Sequence, residues 1–375
     1  MRPHIRPDPL PPGTRVVVGM SGGVDSATTA ALLQRSGMDV IGVTMRLWAE
    51  EDPTAFRRQR HCCSVEDHED ARAAAAALGI PHYLANFEAE FERHVIDYFV
   101  DEYARGRTPN PCVVCNEEIK FRALLDYAHG LGASYLATGH YARIEAVETG
   151  YRLLRPLDEE KDQTYFLYGL GQSELSRVLF PLGGMTKPEV RALAAEIGLH
   201  LAQKADSADI CFVPEGDHRA FLGDRLGLGE GPVLDGSGRE IGRHHGAAGF
   251  TIGQRRGLGV ATGERVFVTT VDVAANAITV GHEDDLLADR LEVEQARFVS
   301  GVPIATPARV EARLRYRAAP VAALLRREGG RWLVDLDRPQ RAIAAGQAAV
   351  FYAGDEVIGG GTISRAWNST RAPAE

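Results

Sequence analysis

Arg15-Val16-Val17-Val18-Gly19-Met20-Ser21-Gly22-Gly23-Val24-Asp25-Ser26 is the stretch on which the fold turns. Arg15 to Met20 is an apolar, β-branched run of strand length, and Val24 to Ser36 reads as a helix closed by Gly37. The joint between them is glycine and serine, so the chain passes from strand to helix in a tight turn. Successive N–H groups at such a helix start bind phosphate, and glycines let the backbone come close. The turn has neither the lysine of a GxxxxGK[ST] loop nor the spacing of GxGxxG. Ser21 and Ser26 are candidate donors to phosphate and Asp25 a candidate ligand for Mg2+. Gly19, Met20, Gly22, Gly23 and Val24 supply the backbone of the cradle.

The alternation continues outward. Val40 to Leu47 is a second strand, and Glu66 to Leu78 an alanine-rich helix with Ser64 and Asp67 as its capping box and Gly79 as its stop. His82 to Phe87 is a third strand, Asn116 to His129 a helix and Ser134 to Thr138 a fourth strand. Thr186-Lys187-Pro188-Glu189 opens a further helix that Gly198 ends. This order predicts an α/β, Rossmann-like parallel sheet wrapped by helices. Thr138-Gly139-His140-Tyr141 follows the fourth strand, on the ligand side of such a sheet; there Gly139 lets a nucleotide approach and His140 faces the substrate.

The pattern changes after Pro214. Glycine is dense from Gly216 to Gly263, and from about Leu291 apolar and polar residues alternate, as in Ala308 to Arg317 and Arg331 to Leu336, which reads as all-β. On one strand Arg313, Arg315 and Arg317 would share a face, a basic stripe with Tyr316 placed to stack on a base. Arg255 and Arg256 would add backbone contacts. The expected organisation is a tail (1–14), a nucleotide domain (15–215), a small glycine-rich domain (216–284) and a β domain (285–375).

Composition bounds the function. The 375 residues are 45% hydrophobic and 25% charged, ample for real cores, yet no apolar run reaches the roughly 20 residues of a membrane helix. The N-terminus has no apolar signal region, so a cytoplasmic protein is expected. A net charge of -9 argues against a nucleic-acid partner, but residues 301–375 hold 11 arginines, no lysine and 7 acidic residues, so a local basic surface remains. The cysteines are Cys62, Cys63, Cys112, Cys115 and Cys211; an odd number in a long chain argues against a disulfide scaffold. They point to thiol chemistry, to a metal site, or to small buried apolar residues. Cys115 lies near the start of a predicted helix, where the dipole favours thiolate.

SGG-x-DS resembles the pyrophosphate loop of the N-type ATP pyrophosphatases, which adenylate an oxygen and release pyrophosphate. GMSGGVDS, TPNPxxxCN, ATGHYAR, KDQTYFLY, DSxDICF, GFTIGQRRGLG and GQAAVFY then follow in order over nearly the whole chain. Together they resemble the bacterial tRNA-specific 2-thiouridylases, which put sulfur on C2 of the wobble uridine of tRNAs for Lys, Glu and Gln. The resemblance implies a small central domain, a C-terminal β-barrel, ATP with Mg2+, tRNA, and a sulfur-donor protein. It makes Cys115 the nucleophile and Cys211 the persulfide carrier. It places Met45 at the adenine, Asn110, Pro111 and Cys112 at the target base, and His140, Lys161, Asp162, Gln163, Arg315, Tyr316 and Gln347 on tRNA. One departure stands out: many members carry Asp where this chain has Cys112. The resulting CxxC with Cys211 would also suit a [4Fe–4S] cluster ligated by Cys112, Cys115 and Cys211. Another pyrophosphate-loop synthetase, or a non-enzymatic RNA-binding or sulfur-carrier protein, remains an alternative.

Overall fold

The computed structural model describes residues 10–48, 65–204, 210–213 and 217–370. Ser64, of the expected capping box, and Cys62 and Cys63 lie outside them. Five parallel strands form the first sheet in the order His82–Asn86, Asp39–Arg46, Arg15–Gly19, Tyr135–Ala137 and Val178–Leu179. Arg15–Gly19 sits in the middle, with Val16, Val17 and Val18 fully buried, as a β-branched run covered by helices on both faces must be. The helices Val24–Arg35, Val65–Leu78 and Lys187–Glu196 pack together on one face. Thr186 caps the last as expected: its backbone N–H donates to Glu189 Oε2 at 2.7 Å.

A four-stranded sheet follows, in the order Phe267–Asp272, Ala277–Gly281, Glu230–Leu234, Glu240–His245. The last part is a closed six-stranded barrel. Leu287–Phe298, Arg331–Arg341, Val321–Glu328, Ala308–Arg313, Ala348–Ala353 and Glu356–Trp367 pair in turn, and the first closes on the last. Closure removes the free edges that a β domain of this size would otherwise expose.

Two features depart from the sequence reading. The hairpin Arg143–Val147 and Gly150–Leu154, from the nucleotide half, extends the barrel sheet, with Leu154 opposite Glu356. The strand expected over Ala308 to Arg317 stops at Arg313. Arg313 turns inward onto Asp162 at 2.8 Å, and Ala318 N–H donates to the Arg315 carbonyl at 3.1 Å to form a turn. Arg313, Arg315 and Arg317 therefore do not make a basic stripe.

Candidate active site

The phosphate loop is held open by what surrounds it. Gly23 is the N-cap of the helix that starts at Val24, and no side chain caps it, so the first N–H groups are left for a ligand. Ser26 Oγ accepts from Ser21 N–H and donates to the Gly23 carbonyl, both at 3.1 Å. Its proton is thus spent on shaping the turn, and Ser21 is the hydroxyl left at the surface. Gly139 lets the loop come close: a Cβ there would lie 2.9 Å from Asp25 and from the Ser26 nitrogen. Asp25 accepts from Tyr141 Oη at 3.0 Å, and Lys187 Nζ reaches both of its oxygens at 2.7 and 2.8 Å.

A cavity of about 830 Å³ opens above this loop. Gly19, Met20, Ser21, Gly23, Val24, Asp25, Ser26, Met45 and Gly139 line it. Gly22 does not; its carbonyl accepts from Lys204 Nζ at 3.0 Å. The same cavity is lined by Pro111, Cys112, Cys115, His140, Lys161, Asp162, Gln163, Cys211 and Tyr316, so the residues read as nucleotide, thiol and tRNA groups share one space. Asn110, Arg315 and Gln347 lie outside its lining.

The cysteines come from two elements. The helix begins at Pro111, five residues before the expected Asn116, because proline fits its first turn without needing a donor. It continues through a π-helical stretch, Cys115–Ala123, and ends as Leu124–Gly130. Cys112, exposed, is therefore the thiol in the first turn; half-buried Cys115 stands one turn later, where the helix widens. Asn116 Nδ2 donates to the Cys112 carbonyl at 2.9 Å. Cys211 is anchored by its neighbour Phe212, whose ring packs 5.7 Å from Phe91 and 5.1 Å from Phe99. Among the described residues no three His, Cys, Asp or Glu side chains gather to hold a metal ion, so Cys112, Cys115 and Cys211 do not form a cluster site in this arrangement.

His140 is enclosed by Phe121 and Phe180, and its Nδ1 lies 2.6 Å from Thr138 Oγ1. Burial, and then the charge of Lys120, hold its pKa well below the ordinary value, so the imidazole is neutral. Asp162 is buried. It is 6% exposed, accepts from Thr164 N–H at 2.9 Å and pairs with Arg313 at 2.8 Å. Gln163 Oε1 accepts from Tyr141 N–H at 2.8 Å. Arg315 donates to the carbonyls of Arg341, at 3.2 Å, and Ala342. Tyr316 packs 4.3 Å from Phe166. Gln347 Nε2 donates to the carbonyls of Thr108 and Pro109 at 2.9 and 3.1 Å.

The family model described as tRNA methyl transferase HUP domain matches residues 14–215, that described as its PRC-barrel domain residues 219–282, and an aminomethyltransferase beta-barrel domain residues 288–363. The tRNA-specific 2-thiouridylase MnmA of Roseiflexus sp. (strain RS-1) is 50% identical over 372 residues, covering 94% of this chain and 99% of that one. Its namesake in Chloroflexus aurantiacus (strain ATCC 29366 / DSM 635 / J-10-fl) is 51% identical over 354 residues, 93% and 98% of the two chains. That of Heliobacterium modesticaldum (strain ATCC 51547 / Ice1) is 48% identical over 357 residues, 93% and 92%.

The chain belongs to the tRNA-specific 2-thiouridylase family.

In this 2-thiouridylase the sequence reading passed over several residues of the site. Lys120 and Lys204 line the cavity, and Lys187 grips Asp25. Pairwise spacing does not reveal Lys187, which is 162 residues from Asp25. Composition does carry a signal. The chain has 38 arginines and only four lysines, Lys120, Lys161, Lys187 and Lys204, and all four are at this site.

Proposed function

We propose that the protein is an ATP-dependent tRNA 2-thiouridylase acting on the wobble uridine of tRNAs for Lys, Glu and Gln, by sulfur transfer from a protein persulfide. The observation that carries the reading is the shared cavity: the phosphate loop, Cys115 and Cys211 line one space of about 830 Å³. Uracil O2 is a poor leaving group. In the proposed sequence it attacks the α-phosphorus of ATP, which sits with its Mg2+ on the loop, and pyrophosphate leaves. The terminal sulfur of a Cys211 persulfide then adds to C2, and the C–O bond breaks to release AMP. Cys115 thiolate attacks Cys211 Sγ; the S–S bond to the uridine sulfur breaks, that sulfur keeps the electron pair as the thiocarbonyl, and Cys115–Cys211 is left as a disulfide. A dithiol reductant restores both thiols for the next turnover.

The remaining assignments rest on the family motifs and on placement around the cavity. Met45 flanks the adenine; Asn110, Pro111 and Cys112 form the loop that takes the target base; neutral His140 and cationic Lys161 face the tRNA, with Asp162, Gln163, Arg315, Tyr316 and Gln347 supporting that face. The division at 15–215, 216–284 and 285–375 gives the nucleotide, central and tRNA-contacting parts. The persulfide sulfur comes from a donor protein such as a cysteine desulfurase or a sulfur-relay protein. Among the described residues no helix is long and apolar enough to cross a membrane; a cytoplasmic location is part of the proposal. The test is 2-thiouridine formation on a tRNA transcript with ATP and a persulfide donor, with pyrophosphate release followed in parallel. Pyrophosphate released without thiouridine in the presence of charged donor would refute the sulfur-transfer step.

A further inference from the structure

Three thiols line the cavity, and the transfer sequence above uses two of them. Cys115 and Cys211 are half-buried, and both pack against the same apolar core. Cys112 is exposed. The Cys115 backbone N–H donates to the Cys112 carbonyl, three residues back, as well as to that of Pro111. A bond of that shorter span brings side chains three residues apart one above the other. Their Cβ atoms are then about 5–6 Å apart on one helix face. A disulfide needs about 3.5–4.5 Å, so closing one here takes a shift of about 1–2 Å and leaves a strained, easily reduced bond. The helix widens from Cys115 onward, and that is where such a shift is most readily taken up.

The transfer leaves a disulfide between the two half-buried cysteines. A reductant must bring its own thiolate into line with an S–S bond, and the rate falls with poor access. The exposed thiol stands three residues from one of the two sulfurs to be reduced.

We propose that Cys112 is the resolving thiol of the cycle. Its thiolate attacks Cys115 Sγ, and an S–S bond forms between Cys112 and Cys115. The Cys115–Cys211 bond breaks, and Cys211 leaves with the electron pair as a thiolate. The exchange neither gains nor loses electrons; the oxidation moves from the wall of the cavity to the surface. A dithiol reductant then supplies two electrons and two protons at the exposed pair. Cys211 is returned first and can take up the next sulfur while that reduction proceeds. The inference deepens the sulfur-transfer function proposed above and rests on it.

The test is to find the disulfide after one turnover of the full chain. Cys211 is charged by a cysteine desulfurase with cysteine, the donor is removed, and ATP and tRNA transcript are added without reductant. The reaction is quenched in acid, remaining thiols are alkylated, and the protein is cut with trypsin. Cys112 and Cys115 fall in one peptide, Thr108–Lys120, and Cys211 in another, Ala205–Arg219, so the two disulfides differ in mass. The expected product is a Thr108–Lys120 peptide lacking its two thiol hydrogens, with Cys211 alkylated. A disulfide found only between Cys115 and Cys211, with Cys112 alkylated throughout, overturns the proposal. In parallel, Cys112→Ser is run with a protein dithiol as reductant, and its later turnovers are compared with its own first, so that any effect on base binding drops out. The ratio is expected to fall about tenfold or more, and a small dithiol at high concentration to restore it. An unchanged ratio overturns the proposal. If 2-thiouridine forms and all three cysteines alkylate, it is the disulfide step of the proposed function that has failed, and the exchange falls with it.

Discussion

Gln347 offers the sharpest test of how the barrel takes part in catalysis. Its amide leaves the barrel to donate to the carbonyls of Thr108 and Pro109, in the loop that leads into Pro111, Cys112 and Cys115. Both Nε2 protons are then used, and what remains is a carbonyl oxygen, which cannot bond a phosphate. The same join is made by backbone: Thr108 N–H donates to the Ala345 carbonyl at 2.8 Å. Gly346, at φ +89, lets the two chains meet, since a Cβ there would lie 2.9 Å from the Thr108 oxygen. Arg107 adds an ion pair to Glu294 at 2.5 Å, and Thr108 Oγ1 bonds Thr251 Oγ1, in the segment between two strands of the central sheet, at 3.1 Å. Gln347→Leu keeps the volume and removes two hydrogen bonds, each worth about 0.5–1.5 kcal/mol, so the held loop loses about 1–3 kcal/mol. At about 1.4 kcal/mol per tenfold, that lowers the ratio of held to released loop about 5- to 150-fold, which is the upper limit of the effect on rate. Single-turnover thiolation should slow within that limit while the tRNA dissociation constant stays put. Hydrogen exchange of the tRNA-free protein should quicken over residues 107–110. An unchanged exchange rate, or a loss confined to tRNA affinity with the saturated rate intact, would refute the reasoning.

Three further outcomes are expected. Cys211→Ser abolishes 2-thiouridine while tRNA-dependent pyrophosphate release continues; thiolation by this variant with an external donor would remove the persulfide from Cys211. Cys112→Asp, which restores the residue that many family members carry, retains thiolation, and anaerobically purified enzyme contains no stoichiometric iron or sulfide; joint loss of activity and of bound iron would establish a cluster instead. Buried His140 has its pKa below the ordinary 6.5, so the unfolded chain takes up the extra proton as pH falls. Stability present above about pH 6.5 is therefore lost below it, by roughly 1.4 kcal/mol per pH unit for this residue. Denaturant unfolding of His140→Gln between about pH 7 and pH 5 should show a shallower loss than the unaltered protein; equal slopes would contradict it.

The nucleotide half was legible because its signals are local. A β-branched run, a glycine turn and a capping box each state their structure within a few residues, and Arg15–Gly19, Val24–Arg35 and Lys187–Glu196 fall where they were expected. Signals set by distant contacts were not legible. Val178–Leu179 is two residues long and becomes a strand only by pairing with Tyr135–Ala137. Period-two alternation runs on past Arg313, yet the strand ends there because Asp162, 151 residues away in sequence, captures its guanidinium. The early helix start did have a local sign, Pro111 at the first position, although the helix is expected only from Asn116. The cavity itself draws on residues from Gly19 to Arg317, and no window of sequence contains that closure.

Asp162, Arg315 and Gln347 share a property that bears on how tRNA contacts are assigned. All three are placed on tRNA by the family resemblance, and all three are engaged inside the protein: Asp162 with Arg313, Arg315 with the carbonyls of Arg341 and Ala342, Gln347 with the loop at Thr108. A substitution at Asp162 or Arg315 can lower tRNA affinity by loosening the surface that tRNA meets, with no contact to RNA lost. Affinity alone does not separate the two cases, but salt does. Each phosphate contact contributes about 0.7–0.9 to the slope of log affinity against log salt through the counter-ions it releases. Lys161 lines the cavity as a cation, so Lys161→Met should weaken binding and flatten that slope by roughly one such contact. Arg315→Leu removes the same charge from a guanidinium that is spent on two carbonyls and whose pKa is lowered by burial and then by nearby Arg341. It should weaken binding at a constant slope. A slope that falls equally in both variants would put Arg315 on phosphate and return it to the RNA surface.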